Sequence, residues 1–209
     1  MIDSLIFDLD GTLWDSSEGI VATWALVLEH YPEIHKTVTA EELASNFGLP
    51  LDQIARNMFP DQTEALRTRL MAECCEKENL YLAKHGGMLF SNLEQTLETL
   101  SKQYPLFIVS NCQDGYIQSF YCGNKMEKYF KDCECIGVTG RSKGENIRMV
   151  IERNHLKAPV YVGDTQGDAD AAAQAGIPFI YAAYGFGDVA VYDDKIHSFE
   201  ELLDVVKRL

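Results

Sequence analysis

Two aspartates one residue apart, Asp8 and Asp10, close the segment Leu5-Ile6-Phe7-Asp8-Leu9-Asp10-Gly11-Thr12. The apolar run reads as a short buried strand, and open α/β sheets bind ligands at the carboxyl ends of their strands. Strand alternation points Asp8 and Asp10 to one side and Leu9 to the other. Two like charges that close are costly unless a cation or a shared proton relieves them, so the pair asks for a metal. Taken alone, the same residues also describe a plain Asp/Gly turn after a strand. Three later segments weigh against that reading. Leu106-Phe107-Ile108-Val109 is a second buried run and ends in Ser110-Asn111. Lys143 heads an amphipathic helix with Ile147, Val150 and Ile151 on one face. Val160-Tyr161-Val162 is a third run and leads into Gly163-Asp164-Thr165-Gln166-Gly167-Asp168. Individually, Ser110 is an ordinary strand-end serine, Lys143 a solvated helix-start residue, and Asp164 and Asp168 helix caps.

Together, in this order, the four groups resemble the motifs of the haloacid dehalogenase-like hydrolases. Asp8 and Asp10 match the first motif, Ser110 the second, Lys143 the third, and Asp164 with Asp168 the fourth. The resemblance covers the whole chain. The long interval between the first two motifs is where subfamily I members carry a helical cap. One departure is local: many relatives have proline after the motif-three lysine, and here Gly144 follows it.

The resemblance implies a phosphatase in which Asp8 attacks phosphorus and forms an aspartyl-phosphate. Asp10 then protonates the leaving alkoxide and later deprotonates water, as one group can in two half-reactions. It also implies a Mg²⁺ site, with side-chain oxygens from Asp8 and Asp164 and the backbone carbonyl of Asp10. Mg²⁺ suits an oxygen-only site with few carboxylates. Thr12, Ser110, Asn111 and Lys143 are expected around the phosphoryl oxygens. Asp168 is expected to orient Lys143 or a metal-bound water.

Other activities on related scaffolds fit less well. Sugar-phosphate mutases of this kind carry a histidine twelve residues after the nucleophile, where this chain has Ile20. Haloacid dehalogenases lack the second acidic residue, which is present here as Asp10. A signalling receiver domain shares the phospho-accepting Asp, Mg²⁺ and Lys, but is far shorter and takes its phosphoacceptor from a middle strand. A pyrophosphatase on the same scaffold and a catalytically silent phosphate-binding protein stay as alternatives. The five histidines show no ligand spacing and are read as non-catalytic.

The remaining sequence must position these groups. A chain of 209 residues accommodates one good core and a smaller appended domain. Its net charge of −14 argues against nucleic acid, whose phosphates need a basic surface. An anionic substrate must then be attracted locally, by a metal, Lys143 and helix N-termini. No apolar stretch is long enough to span a bilayer. The six cysteines lack zinc-ligand spacing and read as free thiols in a reducing cytoplasm. The expected partner is a small phosphorylated metabolite, and the expected state a monomer or weak homodimer.

From Asp15 to about Lys84 the pattern is almost wholly helical, with a stripe of Ile20, Trp24, Val27 and Leu28 and a capping box at Thr39–Glu42. From Asn92 helices alternate with short apolar runs, which include Cys135-Ile136-Gly137-Val138 and Phe179-Ile180-Tyr181. Asn92 with Gln95 and Ser198 with Glu201 read as helix caps. The expected fold is an α/β, doubly wound parallel-sheet (Rossmann-like) core, residues 1–15 and 86–209, with an inserted helical cap, residues 16–85. Hinges are expected at Asp15-Ser16 and His85-Gly86-Gly87. The loop Asn46-Phe47-Gly48-Leu49-Pro50 resembles the cap loop of phosphoglycolate phosphatases, although it also reads as a plain helix–helix turn. Phe47 and Gly48 are its specificity candidates, and Arg56 and Lys84 the cap-side cations.

Overall fold

The first strand, β1 (Ser4–Phe7), is buried on both faces, as its unbroken apolar sequence requires of a central parallel strand. A computed structural model of the protein describes residues 2–209. Leu5 and Phe7 face one side of the sheet and Ile6 the other, and they belong to two separate apolar clusters. After β1 come β2 (Trp14–Asp15) and four helices: α1 (Ser17–Leu28), α2 (Ala40–Ala44), α3 (Leu51–Met58) and α4 (Glu64–His85). The chain then returns through β3 (Met88–Leu89), α5 (Leu93–Ser101), β4 (Leu106–Ser110), α6 (Tyr116–Asn124) and β5 (Phe130–Cys135). It closes with α7 (Ile136–Thr139), α8 (Lys143–Arg153), β6 (Pro159–Gly163), α9 (Gln166–Ala175), β7 (Phe179–Ala182), β8 (Asp194–Ile196) and α10 (Leu202–Val205).

Six strands form one sheet in the order β5-β4-β1-β6-β7-β8, with every neighbouring pair parallel. Parallel neighbours need crossovers, and here helices supply most of them on both faces. α5, α6 and α10 share the cluster of Leu5 and Phe7, while α8 and α9 share that of Ile6. β1 lies between β4 and β6, where the strand order reverses, so Asp8 emerges at the switch point.

The helical insertion lies over this end of the sheet. Ile20, Trp24 and Val27 of α1 and Leu70, Cys74 and Leu82 of α4 join the first cluster without a break. α4 packs on α6 so closely that a Cβ at Gly123 would lie 2.1 Å from the Leu82 carbonyl oxygen. The two ends of the insertion are joined by a short antiparallel ribbon, Trp14 opposite Leu89 and Asp15 opposite Met88. Beside it, the Asn124 side chain receives the Gly87 N–H at 3.1 Å and donates to the Gly87 carbonyl at 2.9 Å.

Three expectations are corrected, and one strand is new. The fifth strand is Phe130–Cys135, and Ile136–Thr139 turns into a short helix instead. β5 is an edge strand, so it tolerates Lys131, Asp132 and Glu134, the latter two held by Arg153 at 2.6 and 2.7 Å. β8 was not foreseen because Asp194-Lys195-Ile196 is too short to carry a pattern. Asn92 has a left-handed backbone and its side chain reaches Glu200 rather than the N-terminus of α5. Ser198 makes no side-chain cap; Glu201 accepts the His197 N–H at 2.9 Å. Thr39 does cap α2, accepting the Glu42 N–H at 3.2 Å.

Candidate active site

Strand ends and helix starts bring Asp8, Asp10, Ser110, Lys143, Asp164 and Asp168 to one buried place. Lys143 opens α8, which Ser142 and Glu145 fix by a reciprocal capping box. Its ammonium bridges Asp8 at 2.9 Å and Asp168 at 2.6 Å. Asp168 is itself clamped at the start of α9, where Oδ2 accepts the Thr165 N–H at 3.0 Å and hydroxyl at 2.7 Å. Both Asp168 oxygens are therefore engaged, which makes the residue a positioning group for Lys143. Asp164 follows β6 and accepts from the Phe186 N–H at 2.9 Å. Asp8 Oδ2 has no hydrogen-bond donor among the described residues, while Oδ1 faces Lys143.

Asp10 is turned away from this group. Its Oδ1 accepts from the Ser16 hydroxyl at 2.8 Å and the Tyr116 hydroxyl at 2.9 Å. Neighbouring carboxylates thus have distinct surroundings, one beside an ammonium and one beside two neutral hydroxyls. Burial, reinforced by the charge of Asp168, raises Asp8 to about 7 despite the opposing pull of Lys143. Burial raises Asp10 to about 6, with Ser16 and Tyr116 holding it lower than burial alone would. Asp164 is pushed well above the carboxylate range by burial and by the charges of Asp168 and Asp8. Burial pulls Lys143 down, but Asp168 and Asp8 outweigh it and keep the ammonium charged.

Asp8, Asp164 and Asp168 offer carboxylate oxygens within 4.8 Å of one another. Three acidic groups share one ammonium in a dry site, and an oxygen-only set of this kind suits a hard divalent cation. Because Asp168 is committed to Lys143 and Thr165, Asp8 and Asp164 are the side chains that fit such an ion. The Asp10 carboxylate faces Ser16 and Tyr116, so only its backbone carbonyl remains for the metal role named from the sequence.

The buried Thr12 hydroxyl, expected at the phosphoryl oxygens, donates here to Asp164 Oδ1 at 3.1 Å, and its N–H goes to the Leu9 carbonyl. Gly11 before it has φ +79, and a Cβ there would lie 2.1 Å from Asp164 Oδ2. The Gly-Thr turn thus shapes the seat of Asp164. Asn111 donates from its side chain to the Gly48 carbonyl at 2.7 Å, tying the core to the insertion.

A cavity of about 50 Å³ runs from Asp8, Asp10 and Ser110 to the helices above, with Phe47 and Gly48 in its wall. Phe47 also packs on Phe186, ring centroids 5.2 Å apart. Arg56 and Lys84 are not among the residues lining this cavity. Arg56 is paired outside with Asp52 at 2.9 Å, the i,i+4 neighbour on its own helix, and Lys84 is exposed on α4. The sequence reading missed Glu78, which is 3% exposed, lines the cavity and accepts the Trp24 indole N–H at 2.6 Å. A usable signal existed: Glu78 falls in the stripe Leu70, Cys74, Glu78, Leu82, where a carboxylate faces the core. Ser16 and Tyr116 left no such trace.

A central aspartate backed by a lysine, a second aspartate held apart and a buried acidic cluster are the site of an α/β enzyme acting on phosphate esters. The chain belongs to the haloacid dehalogenase-like hydrolases, whose family pattern matches residues 5–182. It is 26% identical to a phosphoglycolate phosphatase from Pectobacterium atrosepticum, covering 98% of this chain and 92% of that one. It is also 26% identical to a Clostridium perfringens protein provisionally named pyrophosphatase PpaX, covering 100% and 99%. A haloacid dehalogenase-like hydrolase structure from Bacteroides fragilis superposes with TM-score 0.83 at 25% identity, covering 97% of this chain and all of that one.

Proposed function

We propose that the protein is a Mg²⁺-dependent phosphatase that hydrolyses a small phosphomonoester through an aspartyl-phosphate, in the manner of phosphoglycolate phosphatases. The observation that carries this is the division of labour between Asp8 and Asp10. Asp8 Oδ1 faces the Lys143 ammonium, leaving Oδ2 as the attacking atom. Asp10, raised to about 6, keeps a protonated fraction for the leaving alkoxide well above the usual carboxylate range and takes a proton from water in the second half-reaction. Ser110 and the backbone at Asn111 receive the transferring phosphoryl oxygens, with Lys143 as fixed positive charge. When bound at Asp8, Asp164 and the Asp10 carbonyl, Mg²⁺ supplies charge neutralisation of the phosphoryl group. Thr12 and Asp168 hold Asp164 and Lys143 in place.

Ile20 lines the cavity where the mutases have histidine, which favours hydrolysis over phosphate transfer to a second sugar hydroxyl. Residues 16–85 serve as a cap closing over a core of 1–15 and 86–209, with hinges at Asp15-Ser16 and His85-Gly86-Gly87. Six free cysteines fit a cytoplasmic setting. The test is hydrolysis of para-nitrophenyl phosphate with Mg²⁺. Asp8→Asn abolishes turnover while the circular dichroism spectrum is kept, and EDTA silences the wild type until Mg²⁺ is returned. Near-wild-type turnover by Asp8→Asn removes the nucleophile from the proposal, and an EDTA-insensitive rate removes the metal.

A further inference from the structure

The upper wall of the cavity, where the leaving group of a phosphomonoester sits on the reading above, has an uneven chemistry. Ile20, Trp24, Leu43, Phe47 and Ile54 make it largely apolar. Its polar side chains beyond the catalytic core are Glu78 and Gln113. Among the described residues that line it, none is lysine, arginine or histidine.

The side-chain donors of Trp24, Gln113, Tyr116 and Ser16 around this wall are already spent. The Trp24 indole N–H goes to Glu78 Oε2 at 2.6 Å. The Gln113 amide donates to Glu78 Oε1 and, at 3.1 Å, to Asn79 Oδ1. The Tyr116 and Ser16 hydroxyls are occupied with Asp10. Acceptors are not spent: each Glu78 oxygen receives one donor here and has capacity for a second. A ligand entering this space meets unfilled acceptors and must bring its own hydrogen. Above about pH 7, where Glu78 is ionised, a carboxylate or a second phosphate would instead be desolvated beside it with no cation to pair it.

We infer that the leaving group is a short alcohol without negative charge, apolar along its body and bearing one hydrogen-bond donor, hydroxyl or ammonium, that meets Glu78. This inference rests on the phosphatase reading and narrows its substrate class. It sets the chain apart from what its relatives' names suggest, since glycolate and phosphate are both anionic leaving groups. The size also points to a short alcohol. A cavity of about 50 Å³ favours a short chain over a long or branched one.

The test compares, at pH 8 where Glu78 is ionised, kcat/KM of the Mg²⁺-loaded enzyme for five esters: glycerol 1-phosphate, phosphoethanolamine, propyl phosphate, phosphoglycolate and para-nitrophenyl phosphate. Glycerol 1-phosphate or phosphoethanolamine is expected to exceed phosphoglycolate by more than about tenfold, with propyl phosphate between them. Whichever of the first two leads identifies the donor as hydroxyl or ammonium. Glu78→Gln is expected to shrink the gap, raising KM for the donor-bearing ester and lowering it for phosphoglycolate. Wild-type preference for phosphoglycolate overturns the inference, as does an unchanged ratio in a folded Glu78→Gln. Should that variant not fold, the wild-type ranking still decides. An enzyme that hydrolyses none of the esters, para-nitrophenyl phosphate included, refutes the phosphatase reading itself; one that hydrolyses that ester but favours glycolate sinks only the present inference.

Discussion

At the level of single residues, the site works by giving chemically identical carboxylates unlike neighbours. Tyr116 is the clearest handle on this. Its hydroxyl stabilises the ionised form of Asp10, so removing it raises the Asp10 pKa above about 6. If protonated Asp10 is the acid for the first step, Tyr116→Phe keeps that proton to higher pH. The alkaline limb of the kcat/KM profile should then move up by roughly one unit. An unmoved limb in Tyr116→Phe would separate Asp10 from the leaving-group proton. Glu78 supplies a second handle, this time on stability. Burial raises it from 4.5 to about 7, against the hydrogen bonds from Trp24 and Gln113. The folded chain therefore holds the proton more tightly than the unfolded one. The stabilisation from neutral Glu78 is complete below 4.5 and is lost as pH rises through 7. Relative to wild type, Glu78→Gln should gain about 2 to 3 kcal/mol between pH 5 and pH 8, read by urea unfolding at both pH values. Parallel stability curves for the two proteins would place Glu78 in contact with water.

At the level of elements, what could be read from sequence was whatever is local. A buried strand and the polar residue that ends it are adjacent in the chain, so Asp8, Ser110 and Asp164 were legible, as was Lys143 at the head of its helix. Relations across the fold were not. Arg56 looked like a substrate-facing cation, but its nearest carboxylate was one helical turn away and it pairs there. Thr12 carries a hydroxyl at the right motif position, yet its partner here is an aspartate 152 residues along the chain, just past the neighbouring strand β6. The edge strands β5 and β8 are charged or short because one side of each lacks a neighbour, which erases the apolar signature. The loop carrying Phe47 belongs to the relations that geometry decides. It touches the core through the Phe186 ring, whereas Asp164 is held by the Phe186 backbone N–H. Phe47→Ala should accordingly reorder phosphomonoester substrates and leave the vanadate inhibition constant within about twofold, because vanadate needs only core donors. A vanadate constant that shifts as far as the substrate ranking would make the loop a structural prop for the core.

At the level of the whole molecule, the charge of −14 sets a field that opposes the approach of any phosphate dianion. Screening should relieve this, so KM for a dianionic ester is expected to fall by about twofold as NaCl rises from roughly 0.01 to 0.15 M, with kcat unchanged. A KM that climbs with salt from the outset would mean that local positive charge governs encounter. Among the described residues no helix is long and apolar enough to cross a membrane. The ribbon of β2 and β3 bears on how such a molecule can be built. Because Asp15 and Met88 are direct antiparallel partners, the chain leaves the core and re-enters it at points about 5 Å apart. Closing a loop whose ends already touch depends only weakly on how much chain lies between them. The seam is therefore an exchange point: helices of other lengths and compositions could be spliced between these two short strands, each bringing a new wall above the buried site, while the phosphate chemistry beneath is inherited intact.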